Sequence, residues 1–187
     1  MAINAAFRQK AGASDIVFKA SGGSAAITLA SLANTTSDST GARESAKADF
    51  QVLGSGSDSA AQLYEVSAIF DWLTTAPTSG ATVEIYFNPS NSATAGTDNQ
   101  GGCTGADAGY TGSTNDISIA TRRLIYIGSF VASALAGADI KGIVGYIQIP
   151  TRYGSIVVWN KSGRLLHSTE GNKEIRFRPV DYVGDTA

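Results

Sequence analysis

The most constraining feature of the sequence is an alternation of apolar and polar side chains with a period of two residues. From Tyr64 to Trp72 every second side chain is aromatic or aliphatic, and the pattern recurs at Val83, Ile85 and Phe87. Successive side chains of a β-strand point to opposite faces of a sheet, whereas a helix repeats its apolar residues about every 3.6 positions. The pattern therefore predicts two strands that each bury one face.

Other segments are predicted as strands because they are rich in apolar or β-branched residues and are bounded by turn residues. They are residues 15–20, 25–32, 47–53, 117–131, 143–149, 155–159 and 174–180. Residues 74–80 contain the threonines, proline, serine and glycine of a turn, and predict a hairpin between the two alternating runs. Helix signals are almost absent, because Gly, Ser, Thr and Asn interrupt each window of helical length. The sequence therefore predicts an all-β protein, an antiparallel sandwich or barrel.

The domain organisation is predicted to be simple. No repeat or sharp change of composition divides the chain, so we expect a single domain over residues 1–187. A chain of this length buries on the order of 70% of its unfolded surface, so its core needs neither disulfides nor metals. Residues 1–13 are expected to form a flexible arm. Residues 88–116, rich in Gly, Ser, Thr and Asn, are expected to form one long loop, and such loops are usually functional or disordered.

The charge balance argues against several classes of partner. Fourteen Lys and Arg against sixteen Asp and Glu leave a formal charge of −2, which offers no basic surface for nucleic acid. No run approaches about 18 apolar residues, so no membrane partner is expected. The start of the chain lacks the basic and apolar regions of a secretory signal, so we expect synthesis in a cytoplasm. Charged residues form 16% of the chain, below the ordinary value of about 25%, and the abundant small neutral residues suit contacts between copies.

Residues that could carry chemistry are few. Cys103 is the single cysteine and lies in a Gly-rich segment, 101–105, that lacks the following Lys-Ser/Thr of a phosphate-binding loop. His167 is the single histidine, and its neighbour Ser168 points the opposite way on an extended chain. Since no nucleophile elbow or second orienting group accompanies His167, we interpret it as a turn or strand-end residue with a structural hydrogen bond.

The long loop contains three acidic residues, Asp98, Asp107 and Asp116, which could in principle collect a hard cation. Their spacing matches no calcium-binding loop, so we interpret them as solvated loop acids. The sequence therefore predicts no catalytic, cofactor-binding or metal-binding residues, no cofactor and no enzymatic activity.

The aromatic residues are the basis of a rival hypothesis, a carbohydrate-binding sandwich with exposed stacking platforms. The candidates are Trp72, Trp159, Tyr64, Tyr86, Tyr110, Tyr126, Tyr146, Tyr153 and Tyr182. Most lie in strand patterns, where an aromatic is more often part of a core. Tyr110 and Tyr153 are the better candidates for exposure, since each lies in or beside a turn. The arginines Arg122, Arg123, Arg152, Arg176 and Arg178 form no run, which favours a solvated face or an interface.

The C-terminal segment IPTRYGSIVVWNKSGRLLHS, residues 149–168, continues through Asn172 to residues 174–179 and resembles small structural proteins encoded among the virion genes of tailed bacteriophages. The strands at 64–72 and 83–88 fit the same resemblance. The shared features are strands and turns rather than a catalytic signature. The resemblance implies a jelly-roll-like β-sandwich that decorates or cements the capsid, or that joins the tail or connector.

The expected function is that of a non-enzymatic capsid decoration or cement protein, assembled in the host cytoplasm and located in the virion. Its expected partners are further copies of itself, as a trimer or dimer, and the major capsid protein. A tail or neck component is the alternative within this class. A carbohydrate-binding β-sandwich module is the alternative from a different class.

Overall fold

The computed structural model describes residues 6–9, 14–35, 39–50, 63–72, 75–112, 117–135, 137–169 and 171–183, and it consists of two antiparallel sheets. The first sheet contains β1 (Ala6–Gln9), β2 (Ile16–Phe18), β5 (Leu63–Phe70), β9 (Ile140–Gln148) and β11 (Glu174–Val183). The second contains β3 (Ala42–Glu44), β4 (Ala48–Asp49), β6 (Thr82–Ser90), β7 (Ala108–Gly109), β8 (Ile125–Val131) and β10 (Tyr153–Lys161). The predicted all-β sandwich is confirmed.

The order of the strands is that of a jelly roll. In the first sheet β11 lies between β5 and the N-terminal strands β1 and β2, and β9 follows β5 at the edge. In the second sheet the order is β3, β10, β6 and β8. Among the principal strands the chain changes sheet at each connection from β5 onward except the one between β6 and β8. This is the double-sheet arrangement also found in viral capsid and lectin domains.

The predicted hairpin at residues 74–80 is wrong. β5 pairs with β9 and β11 in the first sheet, whereas β6 pairs with β8 and β10 in the second. Both strands bury their apolar side chains in the same core from opposite sides. The predicted direction of these side chains is therefore correct, although the predicted pairing of the two strands is not. Turn residues indicate that the chain reverses, but they do not specify whether the flanking strands pair or stack.

Two further segments differ from the sequence-based expectations. Residues 117–131 were expected to form one strand, but α1 (Ile117–Ala120) and a 3₁₀ turn (Thr121–Arg123) precede β8. Within the expected N-terminal arm, β1 pairs antiparallel with the end of β11, and the other residues of the arm lie outside the described part of the chain. Within the expected strand at 25–32, residues 25–29 bury alternate side chains but contribute only an isolated bridge at Ala25, and residues 30–31 form a turn.

The core lies between the sheets and is rich in aromatic residues. Phe50 is at its centre, with its ring 5.4 Å from those of Phe87 and Phe177 and 5.6 Å from that of Tyr64. The inward residues predicted from the alternation, Tyr64, Val66, Ala68, Phe70, Trp72, Val83, Ile85 and Phe87, are all buried. Trp72 also donates a hydrogen bond from Nε1 to Ser162 Oγ over 2.9 Å.

A second apolar cluster covers the outer face of the second sheet, where the sequence pattern predicts polar residues. It consists of Ala42, Tyr86, Cys103, Tyr110, Leu124, Val157 and Trp159. The loop after β6 folds back over this face, so residues 154–160 of β10 are buried on both sides. The expected loop at 88–116 therefore begins later, after Ser90, and its part up to residue 112 forms a cover with the short strand β7.

Candidate functional site

The outer face of the first sheet carries a groove of about 450 Å³ that runs along β5. The alternation that buries Val66 and Ala68 turns Glu65, Ser67 and Ile69 outward. The small side chain of Ser67 lies between longer side chains of β9 and β11, and this difference in length creates the concavity. The groove is lined by Glu65, Ser67, Ala68, Ile69, Lys141, Gly142, Ile143, Glu174, Arg176 and Arg178.

Arg176 forms a fixed ion-pair cluster on the β11 side of this groove. Its Nε donates to Glu174 Oε1 over 2.8 Å, and its NH1 donates to Asp15 Oδ2 over 2.9 Å. The hydrogen bond with Glu174, together with that of Asp15, raises the pKa of Arg176 against the effect of burial. Arg176 is thus a permanent charge that is already neutralised within the chain.

Arg178 and Lys141 are less completely paired. Arg178 Nε lies 3.8 Å from Asp15 Oδ1, and both atoms are buried without a hydrogen-bond partner among the described residues. Lys141 has neither an ion pair nor a side-chain hydrogen bond within the described part of the chain. The groove therefore has one incompletely satisfied cation on its β11 side and another on its β9 side.

The β9 side of the groove exposes large side chains. Ile143 is 61% exposed and Tyr146 is 46% exposed. The hydroxyl of Tyr146 donates to Glu65 Oε2 over 3.2 Å, and this bond raises the pKa of the phenol. The ring of Tyr146 is thereby tethered at the rim while much of its surface remains in contact with water.

β9 also meets β8 of the other sheet at a seam that depends on glycine. A Cβ at Gly128 would lie 2.2 Å from the carbonyl oxygen of Val144, and a Cβ at Gly145 would lie 2.6 Å from that of Ile127. Only residues without a side chain allow the two backbones to approach so closely. On the β8 side of this glycine seam, Tyr126 and Val131 are 53% and 62% exposed.

Glu44 is a buried charged group on the second sheet. It is 1% exposed, and its carboxylate accepts hydrogen bonds from the backbone N–H groups of Thr104 and Gly105 and from the hydroxyls of Thr104 and Ser155. A buried carboxylate with this many donors anchors the covering loop to β3 and β10. Burial first, and then the charge of Glu44, raises the pKa of the Cys103 thiol beside it.

Lys47 holds the start of the same loop. Its Nζ donates to Ser90 Oγ at 2.8 Å and to the carbonyl oxygens of Ser92 at 2.9 Å, Thr94 at 2.9 Å and Thr97 at 2.6 Å. Oxygens arranged in this way resemble the ligand set of a hard cation. The ammonium group occupies this position, so the loop is organised by a cation that belongs to the chain.

The three loop acids do not form a metal site in the described structure. Asp107 accepts hydrogen bonds from the N–H and hydroxyl of Thr28 and pairs with Arg43, whereas Asp98 accepts one from Asn91 N–H at 2.6 Å. Asp116 lies outside the described residues. Within those residues no group of three or more His, Cys, Asp and Glu side chains is placed to hold a metal ion.

His167 makes a local hydrogen bond of the kind that the sequence predicts. Its Nδ1 accepts a hydrogen bond from Thr169 N–H over 2.9 Å, and the backbone N–H of His167 donates to the carbonyl of Asp71 over 2.9 Å. The Nζ of Lys173 donates to the carbonyl of His167 over 2.9 Å. These bonds organise the chain between β10 and β11.

The exposure predicted for the aromatic residues is partly wrong. Tyr110 is 1% exposed, because it packs in the second cluster and its hydroxyl donates to the carbonyl of Gly101 over 2.7 Å. Tyr153 is half-buried, with Arg152 over its ring. Among the described side chains the exposed aromatics are Tyr126 and Tyr146, and the side chain of Tyr182 lies outside those described.

A signal for these exposed residues was present in the sequence. Residues 143–149, IVGYIQI, have apolar side chains on both faces of the strand rather than on alternate positions alone. A strand with two apolar faces is covered on both sides or leaves one of them in contact with solvent. In β9 the second apolar face, with Ile143 and Tyr146, is the exposed one.

Comparisons with known proteins identified no relative of this chain. No protein-family model matches the chain, and no match was found among curated proteins or solved structures. None of the helices in the described ranges is long and apolar enough to cross a membrane.

Proposed function

We propose that this protein is a non-enzymatic structural component of a tailed-phage virion, a capsid decoration or cement protein that associates with itself and stabilises the head. Its partners are further copies of the chain and the major capsid protein. Jelly rolls occur in both viral capsid domains and lectin domains, so the fold alone does not identify the function. The function has to be inferred from the surfaces.

The observation that carries the proposal is the contrast between the two sheet faces. On the second sheet, Glu44, Lys47 and Asp107 are engaged in holding the chain's own loop. On the first sheet, Ile143 and Tyr146 are exposed beside the charged groove. Exposed apolar groups rimmed by charges are characteristic of protein interaction sites. The charges on the second sheet therefore stabilise the chain itself, and the exposed face of the first sheet suits contact with another protein. Both features are those expected of a subunit in a larger assembly.

The decisive experiment is co-sedimentation of the purified protein with emptied phage heads stripped of accessory proteins and, separately, with purified tails. Attachment to heads and a higher thermal stability of the loaded shells are expected. Attachment to tails alone would replace the decoration assignment with the tail or neck alternative. Binding to neither particle would refute the virion proposal.

A carbohydrate-binding module is the second candidate, and the exposure of Tyr126 and Tyr146 favours it. Exposed tyrosine rings can stack against the apolar face of a sugar. Under this alternative, a glycan array or titration with host-surface polysaccharide gives saturable binding that is lost in a Tyr126→Ala/Tyr146→Ala double variant. Under the virion proposal, the double variant leaves glycan binding at background, as in the wild type.

A further inference from the structure

The outer face of the first sheet has an arginine and a glutamate, and a lysine and a tyrosine, at positions that a two-fold rotation brings together. We infer that this face packs against the same face of a second copy of the chain around a two-fold axis. The inference rests on the self-association in the proposed function and identifies the surface that mediates it.

The pairing of the strands arranges the outward side chains in three rows across β11, β5 and β9. Residues that are paired across neighbouring strands lie side by side on the same face. The middle row consists of Arg176, Ser67 and Ile143. One end row consists of Arg178, Glu65 and Tyr146, and the other of Glu174, Ile69 and Lys141.

Two copies can be placed face to face with a two-fold axis between them that is parallel to the middle row. This axis places each end row of one copy over the other end row of the second copy. Arg178 then meets Glu174 of the second copy, and the ammonium of Lys141 meets the ring of Tyr146 of the second copy. The first contact joins opposite charges, and the second is a cation–π contact. Among the three cations on this face, Lys141 and Arg178 are less completely paired within the described residues than Arg176 is, so both gain from this arrangement.

The middle row is compatible with the same axis. Ile143, the more exposed of the two exposed large side chains that this face contributes from β9, meets Ile143 of the second copy and is removed from water. Ser67 meets Ser67 and leaves room for the longer side chains around it. Arg176 also approaches its equivalent, but Glu174 and Asp15 neutralise it within each copy.

A second copy matches this face better than a partner of uniform charge. Lys141, Arg176 and Arg178 alternate with Asp15, Glu65 and Glu174 over the face, so a polyanion or polycation would meet like charges at half of these positions. Isologous contacts of this kind are the usual basis of homodimers.

Sedimentation equilibrium of the full chain tests the surface with a matched pair of variants. Ile143→Asp places a charge against its own equivalent on the inferred two-fold axis, and it should raise the dimer dissociation constant roughly tenfold or more. Val131→Asp is the control, because Val131 is equally exposed, at 62% against 61%, but lies on β8 of the other sheet. The control should sediment as the wild type does, and circular dichroism verifies that both variants fold.

A charge exchange tests the orientation. Arg178→Glu alone should weaken the dimer, since it places two carboxylates in contact. Arg178→Glu combined with Glu174→Arg should restore dimerisation, because opposite charges meet again across the axis. A double variant as weak as the single one would overturn the inferred axis.

Two outcomes separate this inference from the proposed function. A wild type that is monomeric up to high micromolar concentration but attaches to phage heads overturns the inferred interface and leaves the virion role intact. A dimer that is sensitive to Ile143→Asp but attaches to no particle supports the interface and refutes the virion role. Equal effects of Ile143→Asp and Val131→Asp would also overturn the inference.

Discussion

The Nζ atom of Lys47 lies 2.6 Å from the carbonyl oxygen of Thr97, fifty positions further along the chain. The same ammonium group binds three other oxygens of residues 90–94. The start of the covering loop is therefore held by one side chain from the segment between β3 and β4.

Replacement of Lys47 by methionine should loosen the covering loop while the sandwich remains folded. Methionine keeps the apolar stem but leaves the oxygens of Ser90, Ser92, Thr94 and Thr97 without their donor, at a cost of about 1 to 3 kcal/mol. Hydrogen exchange should accelerate at residues 91–105. Lys19→Met is the control, since the Lys19 ammonium has no hydrogen bond among the described residues, and unchanged exchange in Lys47→Met would contradict the role assigned to it.

Replacement of Glu44 by glutamine should open the same loop from its other end. The amide would direct its own N–H groups at the N–H groups of Thr104 and Gly105, which now donate to a carboxylate. We expect the free energy of unfolding, measured in urea, to fall by about 2 to 3 kcal/mol. Cys103 provides a second readout, because its buried thiol should react slowly with a disulfide reagent in the wild type and quickly in Glu44→Gln. A slow reaction in both proteins would show that Glu44 does not hold the loop closed.

Asp107 should make stability depend on pH in the acidic range. Burial raises the pKa of this carboxyl, but the hydrogen bonds from Thr28 and Arg43 outweigh that effect, and the pKa falls below 3.8. A lowered pKa in the folded state stabilises the protein above the unfolded value, and this contribution is lost as the pH falls through the folded value. Urea midpoints from pH 6 to pH 3 should therefore decline less in Asp107→Asn than in the wild type. Parallel curves would contradict this prediction.

Trp72→Ala should destabilise the sandwich by about 3 to 5 kcal/mol, because it removes a fully buried indole and its hydrogen bond to Ser162. Trp72→Phe keeps most of the ring volume and should cost less. The free energies of unfolding from denaturant titration give the comparison. A loss below about 1 kcal/mol in the alanine variant would show that Trp72 does not contribute to the core.

His167→Ala should lower stability by about 1 kcal/mol or less and leave particle attachment unchanged. The side chain loses the hydrogen bond that it accepts from Thr169, while the backbone bonds of residue 167 remain. Co-sedimentation and the infectivity of reconstituted particles provide the measurements. Lost infectivity with normal folding and assembly would contradict the non-enzymatic proposal.

The sequence was sufficient to predict the direction in which most core side chains point. Trp72, two residues beyond the end of β5, and Phe87 in β6 both follow the period-two pattern, and each is buried as predicted. The pairing of β5 and β6 was not predictable in this way, since alternation describes one strand and not its neighbour. The burial of Tyr110 also escaped prediction, because it depends on contacts between a polar loop and Glu44 that are distant in sequence.

The candidate surface was predictable only in part. Arg176 and Arg178 were attributed to a solvated face or an interface, and the structure places both on the outer face of the first sheet. Ile143 and Tyr146 were attributed to strand structure rather than to a surface. Their role could not be inferred from residue type, because an apolar residue in a strand is most often part of the core.

The glycine seam between β8 and β9 affects how the protein behaves at high local concentration. Unpaired strand edges invite hydrogen bonding with other chains, and native proteins protect these edges in several ways. Here the terminal strands of the two sheets shield one another, since Gly128 and Gly145 let backbone approach backbone. Crowded copies therefore meet through side chains on that flank, where contacts can be specific and reversible. They do not extend a shared ladder of backbone hydrogen bonds into an aggregate.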